Sequence, residues 1–197
     1  MKKLNIDTMS LSAHKIHGPK GVGALYINSK SSIEAIVYGG YQERGIRPGT
    51  ENTPGIVGFG KACELIKKDF NDEVKRLSNL KILYAEKLKE KIDDISINSI
   101  LDENGAAHIL NVSFKNVKAE VLVHYLESYG IFVSTGAACS SKQKVENRTL
   151  RAIKLDDKFI EGTIRISFGH FNTIEELDYA ISKIKECVED IRKVTKR

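Results

Sequence analysis

Lys15 stands among residues that could hold its amine for covalent chemistry. An apolar, strand-like run ends near Leu11, Ser12 and His14 follow it, and several glycines and Pro19 come after the lysine. A lysine held at a strand end and partly desolvated can form a Schiff base, whereas a freely exposed lysine is mostly protonated. Ser12 and His14 offer donors to an anion, and glycines let the backbone approach a ligand closely. Generic turn chemistry alone favours the alternative, a β-hairpin with a surface lysine.

Cys139 lies in a second segment of suitable residue types. Small residues precede it in the run GAAC, and two serines and Lys142 follow. These neighbours predict an exposed thiol on a loop that leaves a strand, and nearby lysines favour the reactive thiolate. An incidental surface thiol is the alternative. The two remaining cysteines, Cys63 and Cys187, fall on apolar helix faces, so we expect both in the core.

Arg165 is the third candidate, because it interrupts the apolar alternation of a predicted strand that contains Ile164 and Ile166. An arginine inside a strand is costly unless it pairs with an anion, and its planar guanidinium suits a carboxylate. The alternative is exposure on an edge strand. The pattern predicts either a carboxylate-binding arginine or an edge residue.

Residues 31–53 form a long segment rich in Gly, Arg and Glu, which includes Arg44, Arg47 and Thr50. Long ordered loops often carry function, and a polar surface loop is the alternative.

Four segments together resemble one family. The run SAHKIHGPKGVGALY resembles the pyridoxal phosphate (PLP) lysine segment of the cysteine desulfurases, a group within the class V aminotransferases. Three further segments resemble that family in the same order: GGYQERGIRPGTENTPGIVGFGKA from Gly39, STGAACSSK from Ser134 and TIRISFG from Thr163. The spacing from Cys139 to Leu150 is similar to that of the subgroup with a long cysteine loop.

The resemblance implies a PLP-dependent enzyme that removes sulfur from L-cysteine. The products would be alanine and an enzyme-bound persulfide, and the sulfur would pass to an acceptor or scaffold protein in iron–sulfur cluster assembly. By resemblance, Cys139 accepts the sulfur and Arg165 binds the substrate carboxylate. Lys15 and Cys139 are therefore the expected catalytic residues.

The resemblance also assigns the cofactor site. PLP would be covalently bound to Lys15, with Ser12 and His14 near its phosphate. Thr50 would reach the cofactor phosphate of a partner subunit across a homodimer interface. Pro48 stands where the family usually has serine, and it fixes φ and removes an amide donor, so the loop geometry is expected to differ slightly.

In the resembled family, the segment similar to KKLNIDTMSLSAHK lies in the interior, so we expect this sequence to correspond to the C-terminal half of a desulfurase. The N-terminal half normally supplies the aspartate that pairs with the pyridine nitrogen, the histidine stacked on the ring and part of the phosphate cup. We therefore expect catalysis to need that half. The alternatives are a non-catalytic remnant, a partner-binding small domain, or another class V PLP enzyme such as a selenocysteine lyase. Cys139 argues against a plain aminotransferase.

The expected fold class is α/β, namely the C-terminal portion of a type I PLP-dependent transferase fold. Residues 1–60 would end the large cofactor domain, and residues 61–197 would form an α+β small domain with its connecting helices. Hydrophobic periodicity predicts the elements. Strands are predicted at 4–11, 22–28, 95–100, 108–114, 131–134 and 163–168, and helices at 53–70, 72–92, 118–129, 148–154 and 174–194. We expect Gly130 to end a helix, and Thr173 with Glu176 to cap the last one.

Composition limits the remaining functions. The chain has 197 residues, 41% hydrophobic and 29% charged, which suffices for a buried core. Its net charge of +5 comes from interspersed lysines and glutamates, typical of solvated helix faces, so we expect no nucleic-acid partner. No membrane span or signal peptide is expected, and the three separated cysteines favour a reducing cytoplasm without a zinc site. We expect no metal, because the spacing of His14 and His17 is too common to indicate one.

Overall fold

The computed structural model describes residues 4–135 and 148–195. The chain divides into two compact units, Met1–Phe70 and Asn71–Arg197. The domain boundary expected between residues 60 and 61 falls inside the first helix. Among the described residues, no helix combines the length and apolar character needed to cross a membrane. The same residues contain no group of three or more His, Cys, Asp and Glu side chains able to hold a metal ion.

The first unit begins with an antiparallel hairpin. Strand β1 spans Thr8–Ser12 and strand β2 spans Gly23–Ile27, with Ser12 opposite Gly23. Both strands were predicted, and both are shorter than expected. The connection contains a 3₁₀ turn, Ala13–Ile16, which was not predicted. Ala13 is completely buried and donates its N–H to the carbonyl of Val22 at 3.1 Å, so the turn is anchored to the hairpin.

Helix α1 spans Thr53–Lys91 and loses helical backbone geometry at Asp69 (φ −119°, ψ 17°). The sequence predicted two helices that meet at this point. Asp, Phe and Asn around the break are weaker helix formers than the Ala, Leu and Lys found on either side. The helix starts where expected, because the side chain of Asn52 accepts a hydrogen bond from the N–H of Gly55 at 3.2 Å.

Cys63 does not lie in a core, so this expectation was wrong. It is exposed, as are Ile56 and Phe70 at 47% and 53% on the same predicted apolar stripe. A different face of the helix is packed: Ala62 is buried, and a Cβ on Gly58 would lie 2.6 Å from Cγ of Pro19. The small residues Gly58 and Ala62 allow neighbouring atoms to approach this face of the helix closely. The buried face of α1 is therefore not the face that carries its largest apolar side chains.

The second unit contains a four-stranded antiparallel sheet and the helices around it. Its strands are β3 (Ile95–Ile97), β4 (Ile109–Phe114), β5 (Ser134–Thr135) and β6 (Thr163–Ser167), in the order β3-β4-β6-β5. Its remaining helices are α2 (Ala119–Ser128), α3 (Arg148–Ala152), α4 (Asp157–Ile160) and α5 (Ile174–Thr195). All of these helices were predicted except α4, which Asp156 caps by accepting from the N–H of Lys158 at 3.2 Å. The strand expected at 131–134 was misplaced, because β5 overlaps that range only at Ser134.

One face of this sheet packs into the core, and the other carries polar side chains. The core brings together buried apolar residues of four elements: Leu110, Val112 and Phe114 of β4, Ile164 and Ile166 of β6, Leu122 and Leu126 of α2, and Ile181, Ile184 and Val188 of α5. Cys187 joins them at 1% exposure, as predicted, and burial raises the pKa of its thiol. Because strand side chains alternate, Asn111, Ser113, Thr163 and Arg165 fall on the opposite face.

Both predicted helix-end motifs are confirmed. Gly130 has φ +73°, and its N–H bonds the carbonyl of Glu127 while the N–H of Ile131 bonds the carbonyl of Leu126, each at 3.0 Å. This is the paired pattern of a Schellman motif. At the start of α5, Glu176 N–H donates to Thr173 Oγ1 at 3.3 Å, and Thr173 N–H donates to Glu176 Oε2 at 3.2 Å. These reciprocal bonds form a capping box.

Lys81 is a buried cation inside the second unit. Its Nζ donates to the carbonyl oxygens of Ile100 at 2.9 Å and Ala106 at 3.0 Å, and its side chain is fully covered. Loss of hydration on burial lowers the pKa of its amine. The lysine therefore fixes the connection that leads into β4.

Candidate active site

The structure holds Lys15 on a short, well-defined turn at the end of β1. The turn closes at His17, which has φ +64°, and the N–H of Gly18 donates to the carbonyl of Ala13 at 2.9 Å. Ser12, His14 and Lys15 are all exposed in this unit. The side chains of Ser12 and His14 have no hydrogen-bond partner among the described residues, so their donors are available to a ligand beside the lysine.

Two glycines allow this turn to pack tightly. A Cβ on Gly23 would lie 2.5 Å from the carbonyl oxygen of Leu11, and one on Gly18 would lie 3.0 Å from both the carbonyl oxygen and the Cβ of Ala13. A side chain at either position would push the backbone away. The glycines therefore act here by permitting close backbone contact next to the lysine, as the sequence suggested.

The segment that carries Thr50 folds back on itself. Gln42 Oε1 accepts the N–H of Gly49 at 3.2 Å, and a Cβ on Gly39 would lie 2.9 Å from Cβ of Pro48. Glu43 and Arg44 adopt left-handed backbone at φ +48° and +59°. Thr50 itself is exposed in the first unit. This segment is thus locally ordered, and it leaves the side chain of Thr50 accessible.

Arg165 sits in the middle of an interior strand, which excludes the edge-strand alternative. Strand β6 lies between β4 and β5, and Arg165 is opposite Asn111 on one side and Ser134 on the other. All three residues are half-buried. The Nε atom of Arg165 is buried and has no hydrogen-bond partner in the described part of the chain. Buried donors are nearly always paired, so an acceptor for this atom would have to come from outside the described residues.

A polar network surrounds this position on the same face of the sheet. Asn98 Nδ2 donates to Asn111 Oδ1 at 2.8 Å and to Ser113 Oγ at 2.7 Å. Ser113 Oγ lies 2.7 Å from Thr163 Oγ1, which donates to the carbonyl of Phe159 at 3.1 Å. None of these residues was predicted from the sequence as part of a site. The strand pattern contained the signal, because polar side chains recur on alternate positions of β4 and β6 beside Arg165.

Arg76 contacts the loop that follows β6 and was also missed from sequence. Its guanidinium binds Glu73 through Nε and Nη2 at 2.8 and 2.9 Å and also donates to backbone carbonyls of that loop. Hydrogen bonding from Arg76 lowers the pKa of the Glu73 carboxyl, and His170 adds to the effect from 3.6 Å. No local sequence signal pairs residues so far apart in the chain.

The predicted site residues are distributed over both units. Ser12, His14, Lys15 and Thr50 belong to the first unit, and the structure brings the first three together on one turn. Arg165 belongs to the second unit. Cys139 falls in residues 136–147, which lie outside the described residues.

The model of one protein family, "Aminotransferase class-V", matches residues 1–180. The chain belongs to the class V aminotransferases. This family consists of PLP-dependent enzymes, so the family and the cofactor predicted from the four segments together are confirmed.

Relatives of this class V chain are named as cysteine desulfurases. It is 42% identical over 194 residues to "Cysteine desulfurase IscS" of Proteus mirabilis, covering 98% of this chain and 47% of that protein. It is 37% identical over 193 residues to the protein of the same name from Dictyoglomus turgidum, and the match covers 98% of this chain and 49% of that protein. A solved structure described as a NifS-like protein matches with a TM-score of 0.84 at 37% identity, over 96% of this chain and 48% of that chain.

These likenesses confirm the predicted fold, the C-terminal portion of a PLP-dependent transferase. The class V chain spans about half the length of the curated relatives that it matches. The names of these relatives match the predicted desulfurase and not the alternative of a selenocysteine lyase.

Proposed function

We propose that this chain forms part of a PLP-dependent cysteine desulfurase, which converts L-cysteine to alanine and leaves a persulfide on Cys139. The observation that carries the proposal is the buried Nε of Arg165 on an interior strand, which has no partner among residues 4–135 and 148–195 and would fit a substrate carboxylate. The names of the relatives supply the substrate, cysteine.

The Lys15 turn fits a covalently held PLP. The lysine amine is exposed on a turn that backbone hydrogen bonds fix. Ser12 and His14 lie beside it, and their side chains make no hydrogen bond within the described part of the chain, which leaves donors for a phosphate. PLP, when bound, supplies an electron sink that stabilises negative charge at the substrate α-carbon. The residues of this chain would hold the cofactor through Lys15, Ser12 and His14.

Each remaining residue has a separate task in this proposal. The guanidinium of Arg165 binds the substrate carboxylate and orients the α-carbon. Lys15, once its amine is free, moves the proton at that carbon. The Cys139 thiolate attacks the substrate sulfur, so that a sulfur–sulfur bond forms while the carbon–sulfur bond breaks. The electron pair of the broken bond stays with the substrate, which takes up a proton to become alanine.

The proposal includes partners that complete the site. We propose that activity needs the rest of the desulfurase fold and a homodimer in which the partner subunit's Thr50 reaches the cofactor phosphate. A sulfur-acceptor or scaffold protein in the cytoplasm, serving iron–sulfur cluster assembly, would receive the persulfide sulfur. Residues 1–60 would belong to the cofactor domain and residues 61–197 to the small domain.

Substitution at Cys139 tests the persulfide route. The chain is combined with the N-terminal half of a cysteine desulfurase, and sulfide release from L-cysteine is measured with a thiol reductant. We expect Cys139→Ser to abolish sulfide release while the absorbance of bound PLP is retained. Cys63→Ser is the matched control, since Cys63 is an exposed thiol outside the proposed site, and it should leave the rate unchanged. Sulfide release that survives Cys139→Ser would refute the route.

A further inference from the structure

Asn111 lies directly opposite Arg165 on the neighbouring strand. The two residues are Cα partners in the antiparallel pairing of β4 with β6, and both are half-buried. Side chains of opposed residues in such a pair lie on the same face, with Cβ atoms about 4.5–5.5 Å apart. The side chains of Asn111 and Arg165 therefore start side by side on the polar face of the sheet.

The polar network determines which way the Asn111 amide faces. Thr163 Oγ1 donates to the carbonyl of Phe159, which can only accept, so the hydroxyl of Ser113 must donate to Thr163. Ser113 then accepts from Asn98 Nδ2, whose other proton goes to Asn111 Oδ1 at 2.8 Å. The oxygen of Asn111 consequently faces Asn98, and its NH₂ group is directed elsewhere.

The oxygen of Asn98 supports the same orientation. Asn98 Oδ1 accepts from Ser96 Oγ at 2.9 Å, so both ends of the Asn98 amide are assigned by their partners. Among the described residues, the NH₂ group of Asn111 has no acceptor. This part of the chain also supplies no carboxylate in ion-pair contact with Arg165. Two adjacent donors on one face are therefore left for an external acceptor.

We propose that Asn111 is a substrate-binding residue whose NH₂ group and the Arg165 guanidinium together hold the carboxylate of the amino-acid substrate. The proposal deepens the function proposed above and rests on it for the identity of the substrate. A carboxylate has two oxygens and accepts several hydrogen bonds, so it can serve both donors at once. Ser134, opposite Arg165 on β5, borders the same position from the other side.

The substitution Asn111→Asp separates ligand binding from a purely structural role. The introduced carboxylate would have the shape of the asparagine amide and would still accept the hydrogen bond from Asn98. It would lose the donor and place a negative charge opposite Arg165. Because this charge could itself compete for the Arg165 guanidinium, the result is interpreted together with Asn111→Ala, which removes the donor without adding a charge.

The test follows the Arg165 Nε–H resonance by ¹⁵N NMR in the ¹⁵N-labelled chain combined with the N-terminal half of a cysteine desulfurase. L-Cysteine is titrated in without PLP under reducing conditions. Cysteamine, which lacks the carboxylate, is titrated in parallel. We expect L-cysteine, but not cysteamine, to shift the resonance. The apparent Kd should rise about tenfold in Asn111→Ala, as expected for the loss of one hydrogen bond to a charged group. In Asn111→Asp the shift should be lost. Ser99→Ala is the matched control, because Ser99 Oγ contacts the backbone N–H of Asn111 at 2.8 Å but not its side chain.

The outcomes distinguish this inference from the proposed function. Asn111→Asp that binds L-cysteine as tightly as the unmodified chain would overturn the role of Asn111, while the carboxylate role of Arg165 would stand. Equal shifts with cysteamine, or none with L-cysteine in the unmodified chain, would overturn the whole carboxylate site. Attachment of PLP to Lys15 is measured separately and does not depend on either result. The circular dichroism spectrum of each variant verifies that it is folded.

Discussion

The guanidinium of Arg76 donates a hydrogen bond to the carbonyl oxygen of Gly169 at 2.9 Å. It also reaches the carbonyl oxygens of His170 at 3.2 Å and Asn172 at 3.1 Å. These residues follow β6 closely, so one side chain of helix α1 holds the end of the strand that carries Arg165. Because the guanidinium has several donors in a fixed plane, it can serve multiple carbonyls at once.

Arg76→Ala should lower the free energy of unfolding by about 2 kcal/mol, because it leaves loop carbonyls without a charged donor. Arg76→Lys should recover only part of this loss, since an ammonium cannot span the same carbonyls. Urea unfolding measures both changes. The control is Lys193→Ala, which breaks an exposed ion pair with Asp190 and should leave the free energy of unfolding nearly unchanged. Equal effects of Arg76→Ala and the control would show that the contact does not stabilise the loop.

Glu73 should make the stability of the second unit depend on pH. Hydrogen bonding from Arg76 lowers the pKa of this carboxyl below its ordinary value of 4.5. Its contribution is therefore fully present above pH 4.5 and is lost as the pH falls through the lowered pKa. Glu73→Gln should destabilise the protein near neutral pH, and the difference from the unmodified protein should shrink in acid.

Unfolding by urea at several pH values measures this difference. Glu90→Gln serves as the control, because Glu90 is an exposed residue of the same helix without an ion pair in the described part of the chain. Glu90→Gln should leave the free energy of unfolding close to that of the unmodified protein. A Glu73→Gln difference that stays constant into acid would contradict the ion-pair explanation.

Two glycines of the first unit should respond to alanine in opposite directions. A Cβ at position 23 would lie 2.5 Å from the carbonyl oxygen of Leu11, so Gly23→Ala should cost about 1–3 kcal/mol through overpacking. Gly60 lies inside α1, and a Cβ there would meet no atom within 4 Å, so Gly60→Ala should gain about 0.5–1 kcal/mol. Thermal unfolding of each variant measures both effects. Stabilisation by Gly23→Ala would show that the hairpin is looser than described.

Features that depend on neighbours along the chain were predictable. The hairpin strands, the capping box at Thr173 and the left-handed Gly130 were all correct, because turn chemistry and capping act within a few residues. Lys15 and Arg165 were found as candidates for a similar reason. A lysine before a glycine-rich turn and an arginine within an apolar strand are both unusual in their local context.

Features that depend on distant parts of the chain were missed. The exposure of Cys63 could not be predicted, because periodicity shows which helix face is apolar but not which face another element covers. Arg76 and Asn111 have partners that only the tertiary fold brings close. Arg165 lies on an interior strand because of the strand order in the sheet, and a local sequence pattern does not predict strand order.

Attachment of PLP to Lys15 is the most direct test of the account. The chain is combined with the N-terminal half of a cysteine desulfurase, incubated with PLP, reduced with borohydride and digested for mass spectrometry. We predict that the pyridoxyl group is found on Lys15 and that Lys15→Ala abolishes both this label and the visible absorbance band of bound PLP. The control is Lys20→Ala, five residues away on the same connection, which should retain both. A label on another lysine, or an unchanged band in Lys15→Ala, would contradict the central claim.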